Sequence, residues 1–352
     1  MIELLGGLLL LIAGAELMVR GAVRLAARLH VRPLIIGLTI VALGSSAPQM
    51  AVSLQATLAN NADIAVGSVI GSSIFNILVT LGLSALIIPL RVSRELVRLD
   101  IPLMIGASLL VFVLAWNKEL TRTDGMLLLA ALVLYLGLLL RQSQHSSRPA
   151  SHNETVQIPW LRSLVMIVVG LAMLAYAGHL LLGAAVSVAT DLGLSERIIG
   201  LTIVAVSTSL PVLATSLIAA LRGQRDIAVG NVIGSNLFNL LGVLGLTALV
   251  APSPLSVSPN ALDFDLPVML GVAVLCLPVF YSGYRVTRVE GLLFLGLYLA
   301  YGLHVVSFTT GMPLAGKLEH LMLFFVLPAL VAFLLFTSLR AWRRQHHKRE
   351  SP

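Results

Sequence analysis

Charge is what this chain has least of. Only 11% of its 352 residues are Asp, Glu, Lys or Arg, where soluble domains run near a quarter. That shortage excludes a disordered polyelectrolyte and a soluble enzyme with one core. Cysteine is almost missing: Cys276 stands alone in an apolar run, so neither an internal disulfide nor a cysteine metal site can form. Aromatics are 6% of the chain. There is no Gly-rich phosphate loop followed by Lys-Ser/Thr, no zinc spacing and no nucleophile triad. Nucleic-acid binding, ATP-driven pumping and hydrolysis are left without a motif, so no enzyme activity and no cofactor is expected.

What is present is apolar: 58% hydrophobic residues and a mean hydropathy of +0.97. A membrane-crossing helix needs roughly 20 such residues. Eleven apolar runs can be read, from 2–19, 33–58 and 64–90 through 160–189, 198–221 and 227–251 to 320–340. They are expected to be helices, because in lipid each segment must satisfy its own backbone polar groups. The first run lacks a basic start and a small-residue cleavage site, so it reads as a helix and not a signal peptide. The fold class is an all-α polytopic membrane protein whose non-protein partner is the lipid bilayer.

The formal charge of +7 concerns insertion. Arg20, Arg24, Arg28, Arg32, Arg91, Arg94 and Arg98 fall on one side, with the linker, Arg222, Arg225, Arg285, Arg288 and the tail. That side holds 19 of the 23 basic residues, and Lys118, Arg122, Arg197 and Lys317 make up the other. Basic loops stay in the cytoplasm, which puts the N-terminus outside and the C-terminus inside a bacterial-type inner membrane. The basic tail, with His346, His347 and Lys348, reads as an anchor against anionic lipid.

The chain repeats itself. Residues 37–87 and 200–250 match without a gap at an offset of 163, with 30 of 51 positions identical. The match keeps Pro48/Pro211, Asp63/Asp226, Gly67/Gly230, Gly71-Ser72/Gly234-Ser235 and Asn76/Asn239. Five spans per copy force the second copy to enter upside down, an inverted-topology repeat. The expected organisation is a first repeat at 1–141, a cytoplasmic linker at 142–159, a second repeat at 160–308, and an extra span with the basic tail at 309–352.

In inverted-repeat transporters the site lies near the midplane, where Gly or Pro interrupts helices. Here the interruptions are Gly44-Ser45-Ser46-Ala47-Pro48 and Ser207-Thr208-Ser209-Leu210-Pro211. Proline lacks an N–H, so local carbonyls lose their helical partners. Flanking hydroxyls can patch that break or face an ion with the freed carbonyls. On the following helix Ser72 and Asn76 share one face, as do Ser235 and Asn239. Small polar residues of this kind also serve helix packing; the doubled constellation is what favours binding.

The doubled turn followed by a Gly-Ser-x-x-x-Asn helix resembles the alpha-repeats of the calcium/cation antiporter superfamily, the sodium/calcium exchangers and their bacterial relatives. The resemblance implies ten helices in two inverted halves, with spans 2, 3, 7 and 8 enclosing the ion sites. It implies Ser45, Ser46, Thr208 and Ser209 as oxygen ligands, with Ser72, Asn76, Ser235 and Asn239 as partners on the neighbouring helices. It also implies alternating access by sliding of spans 1 and 6, and calcium:sodium antiport.

The departures from that family lie at its core. The family carries a glutamate after each proline; this chain has Gln49 and Val212. Calcium takes 6–8 oxygen ligands, normally with carboxylates among them. A neutral amide-and-hydroxyl site instead suits a monovalent cation or a neutral polar solute. The transported ion is left open among sodium, calcium and the proton, and a non-transporting scaffold of the same fold is the remaining alternative. Of the sixteen acids, all but Glu16 are expected in loops, the linker, the tail or span ends. Glu16 either couples protons with His179, its equivalent in span 6, or pairs with Arg20 one turn away.

Overall fold

A computed structural model describes residues 2–29, 31–145, 160–191, 203–281 and 283–309. The linker and the eleventh run at 320–340 lie outside the described residues. Helices follow the apolar runs in order: α1 (Ile2–Leu29), α2 (Pro33–Ser45 and Ala47–Leu58), α3 (Ala62–Ile87), α4 (Leu96–Asn117) and α5 (Arg122–His145). The second copy supplies α6 (Trp160–Asp191), α7 (Ala205–Leu221), α8 (Arg225–Val250), α9 (Ala261–Tyr281) and α10 (Arg288–Thr309). Seven of these are individually long and apolar enough to cross a bilayer, and α2 makes eight if its bent halves form one span. Of the remaining two, α1 carries Arg20, Arg24 and Arg28 in its second half, and the described part of α7 is 17 residues long.

The two copies interlock across a pseudo-two-fold. Glycine marks where their backbones meet, because only a missing side chain lets helices come this close. A Cβ at Gly125 on α5 would lie 2.7 Å from the Gly245 carbonyl on α8, and one at Gly291 on α10 would lie 2.6 Å from that of Gly82 on α3. Gly82 and Gly245 are equivalent in the repeat, so each copy's last helix packs on the other copy's third. Short strands repeat this exchange at the two ends. β1 (Leu90–Arg91) pairs antiparallel with β4 (Arg285–Val286), and β2 (Glu119–Leu120) with β3 (Leu255–Ser256). The loops that carry Arg91 and Arg285 therefore meet at one end, as the charge count requires.

Burial separates a centre from a periphery. The most apolar stretches of α3 and α8 are 78% and 83% buried, against 28% for α5 and 33% for both α6 and α10. The sequence explains the difference. α3 and α8 bring small and polar residues to all faces, which only protein neighbours can satisfy, whereas α5 and α10 are rich in large residues that tolerate lipid. α1 and α6 run antiparallel on the outside, Gly7 against Ala177 and Leu181 and Gly21 against Ser163 and Ile167.

Candidate ion-binding site

The centre is built from α2, α3, α7 and α8. α2 bends by 41° at Ser46. The bend fits the local sequence, since Pro48 occupies the first turn of the second half, where a missing N–H costs nothing. The equivalent proline behaves differently. Pro211 lies inside a helix that continues from Ala205 to Leu221, so the expected second break is not found among the described residues. Glycine at position 44 weakens the helix before the first break, and the second copy has Ser207 there.

Gln49 is the hub of the first half-site and is 1% exposed. Its Nε2 donates to Ser53 Oγ at 3.0 Å and to Ser68 Oγ at 2.9 Å. Its Oε1 accepts from the Ser72 hydroxyl at 2.9 Å and from Thr208 of the second copy. All four bonding positions of the amide are thus used. In the second half-site Ser45 reaches Asn231 Oδ1 at 3.0 Å and Ser235 Oγ at 3.4 Å. Ser209 instead donates to the Ala205 carbonyl at 2.9 Å.

Three buried oxygens of the expected ligand set have no hydrogen-bond partner: Ser46 Oγ, Asn76 Oδ1 and Asn239 Oδ1. Asn76 uses only its Nδ2, donating to Asn236 Oδ1 at 3.0 Å. Both asparagines stand in π-helical segments, Asn76–Leu81 and Phe238–Val243, where the widened turn loosens the ladder and which recur at functional sites. Buried acceptors are normally satisfied. Here one hydroxyl and two amide oxygens, on α2, α3 and α8, are left without a partner.

No acid takes part. Among the described residues no three His, Cys, Asp or Glu side chains come together. Glu16 is tied to Arg20 at 2.6 Å and to Arg222 at the end of α7, and His179 is exposed. The antiparallel register sets His179 beside Gly7, about nine residues or roughly 14 Å along the axis from Glu16. The structure does not bring the couple together, because equivalent positions on these antiparallel helices diverge with distance from the point where the helices cross the pseudo-two-fold. Asp100 and Asp265 stand in the opening turns of α4 and α9, near the span ends as expected, and are shielded there by protein. Asp100 is fully buried beside Tyr135, and Asp265 accepts from Tyr301 at 3.1 Å.

Asn231, Asn236, Ser53, Ser68 and Ser216 were not singled out from sequence, although they complete the network. A signal was available where the copies differ: Ser68 becomes Asn231 and Ser73 becomes Asn236, just where Gln49 becomes Val212.

Comparison with known proteins agrees with this architecture. The family model described as sodium/calcium exchanger protein matches residues 1–141 and 162–307. A putative antiporter, CaxA of Alkalimonas amylolytica, is 39% identical over 85% of this chain and 96% of its own length. The sodium/calcium exchanger MaX1 of Methanosarcina acetivorans is 31% identical over 85% and 96%. The solved sodium-calcium exchanger NCX_Mj superposes with a TM-score of 0.73 at 31% identity, covering 84% of this chain and 95% of that one.

Proposed function

The chain belongs to the sodium/calcium exchanger family of cation antiporters, and from that premise we propose that it exchanges a monovalent cation at a neutral central site. The observation that carries this reading is the bonding of Gln49. The position of a family carboxylate holds a neutral amide that is fully engaged, and among the described residues no acid hydrogen-bonds to it.

The cost of drying an ion rises with the square of its charge, so a divalent ion at uncharged oxygens is left far short of compensation. A monovalent ion can be held by carbonyl-type oxygens that replace its hydration shell. Asn76 Oδ1 and Asn239 Oδ1 are oxygens of that kind, and Ser46 Oγ adds a hydroxyl oxygen, all three buried and unpaired. Sodium is the first candidate. Access would alternate as α1 and α6 slide past the four central helices. The Glu16–Arg222 pair, which joins α1 to α7, would hold one end of that path. The 19-to-4 basic bias supports a bacterial-type inner membrane with the N-terminus outside.

Reconstituted protein should exchange sodium down its gradient. Asn76→Ala and Asn239→Ala should each lower flux about tenfold or more, the scale of losing one dry ligand. Wild-type flux in both variants would refute the site. No sodium, potassium or proton flux in the wild type, with no cation-dependent thermal stabilisation, would favour a scaffold.

A further inference from the structure

Besides Asn76, Asn236 and Asn239, each copy places one carboxamide against the equivalent serines Ser53 and Ser216, but on different helices. In the first copy it is Gln49 on α2, reaching Ser53 and Ser68. In the second, Val212 answers Gln49, Ser216 answers Ser53, and Asn231 on α8 answers Ser68. Asn231 Nδ2 donates to Ser216 Oγ at 2.8 Å and to the Val212 carbonyl at 3.2 Å. The amide has changed helices and kept its partner. Its oxygen keeps its role as well: Gln49 Oε1 accepts from Thr208 of the second copy, and Asn231 Oδ1 accepts from Ser45 of the first. Thr208 and Ser45 are themselves equivalent in the repeat.

We propose that Asn231 replaces the side chain lost at Val212, and that Asn231 and Gln49 form a crossed carboxamide pair that sets the selectivity of the central site. The proposal rests on the cation-exchange reading above. A carboxamide oxygen has two acceptor positions, and Ser45 takes one at Asn231, which leaves the other for an ion. At Gln49 both positions are taken, yet each donor has a backbone alternative. Ser72 is also within reach of the Ser68 carbonyl, and Thr208 of the Val204 carbonyl. These hydroxyls can turn away as an ion arrives. Asn231 is fully buried, so its amide has no water to fall back on.

The exchange also conserves volume. Gln plus Ser in one copy and Val plus Asn in the other each provide one amide and one short side chain for the same gap between two helices. Two amides overfill that gap, and none leaves Ser216 without its donor and turns the Ser45 hydroxyl back to the Ala42 carbonyl and Ser235. Single substitutions should therefore fail where the paired one succeeds, the signature of two residues coupled through one contact.

The test uses the full chain in liposomes and in detergent, with sodium chloride, potassium chloride and lithium chloride as probes. N231S should raise the sodium midpoint for flux and for thermal stabilisation about tenfold and change the preference among the three ions. V212Q/N231S, which gives the second copy the first copy's pattern, should return the midpoint to within about threefold of wild type. If N231S does not fold, the double variant against V212Q alone carries the same comparison. A lower melting temperature in N231S with an unchanged sodium midpoint would reduce Asn231 to a packing role and overturn the proposal. So would a double variant that melts like wild type but ignores sodium. A wild type that responds to none of the ions would overturn the cation reading itself, whereas a responsive wild type matched by N231S would overturn only the crossed pair.

Discussion

In the first copy the central amide hangs from a helix bent by 41°; in the second it hangs from α8, and the proline helix offers only Val212. The bent helix carries an orphan hydroxyl at Ser46, while the matching Ser209 is satisfied by the turn behind it. A duplicated motif can therefore diverge in its backbone and in the address of its key side chain, yet keep the same bridge between neighbouring helices. All four partners of Gln49 are hydroxyls, which can donate or accept. The same cradle would bond a carboxylate equally well, so the amide determines the charge of the site and not its architecture.

That comparison can be broken at several points. The largest effect is expected from Gln49→Glu combined with Val212→Glu and Asn231→Ser, the last of which clears the gap for the second carboxylate. Two carboxylates in dry hydroxyl cradles should raise calcium uptake tenfold or more above background, since the ion's charge is now offset. Next comes the contrast between Gln49→Leu and Val212→Ala. The first strands a network that crosses three helices and should cost about 2–3 kcal/mol in detergent unfolding. The second trims two methyl groups and should cost about 1–2 kcal/mol. Equal losses would mean that the halves are not the unlike structures described above.

Smaller effects concern pH and the rim. A site without a carboxylate has no group to protonate, so the sodium midpoint of the wild type should stay flat from about pH 5 to pH 8. Gln49→Glu should introduce a weakening toward acid as protons compete for the new carboxylate. Glu16→Gln should change stability by less than about 1 kcal/mol, because the pair is partly exposed. It should nevertheless shift the balance of inward- and outward-open forms, measured by cysteine accessibility beside Arg222. His179→Ala should leave flux within about twofold of wild type, as an exposed side chain far from the centre should.

Much of the fold was legible because the repeat is long and ungapped, and five spans per copy leave inversion as the one arrangement. The positions of Ser45, Ser72, Asn76, Thr208 and Ser235 at one centre followed from the same register. Three features did not follow. Proline was read as a break in both copies, but it breaks the helix only at Pro48, where it opens a new first turn; at Pro211 the helix runs through. Glu16 and His179 share a repeat position, but on antiparallel helices that position lies on either side of the pseudo-two-fold and leaves them apart. Asn231 went unnoticed because attention fell on positions where the copies agree, and the amide moved where they differ.

The central claim is that an uncharged core excludes divalent ions, and uptake of radioactive calcium into sodium-loaded liposomes tests it most directly. Wild-type protein should stay at background, and the Gln49→Glu, Val212→Glu, Asn231→Ser triple variant should accumulate calcium. Robust sodium-dependent calcium uptake by the wild type would contradict the account.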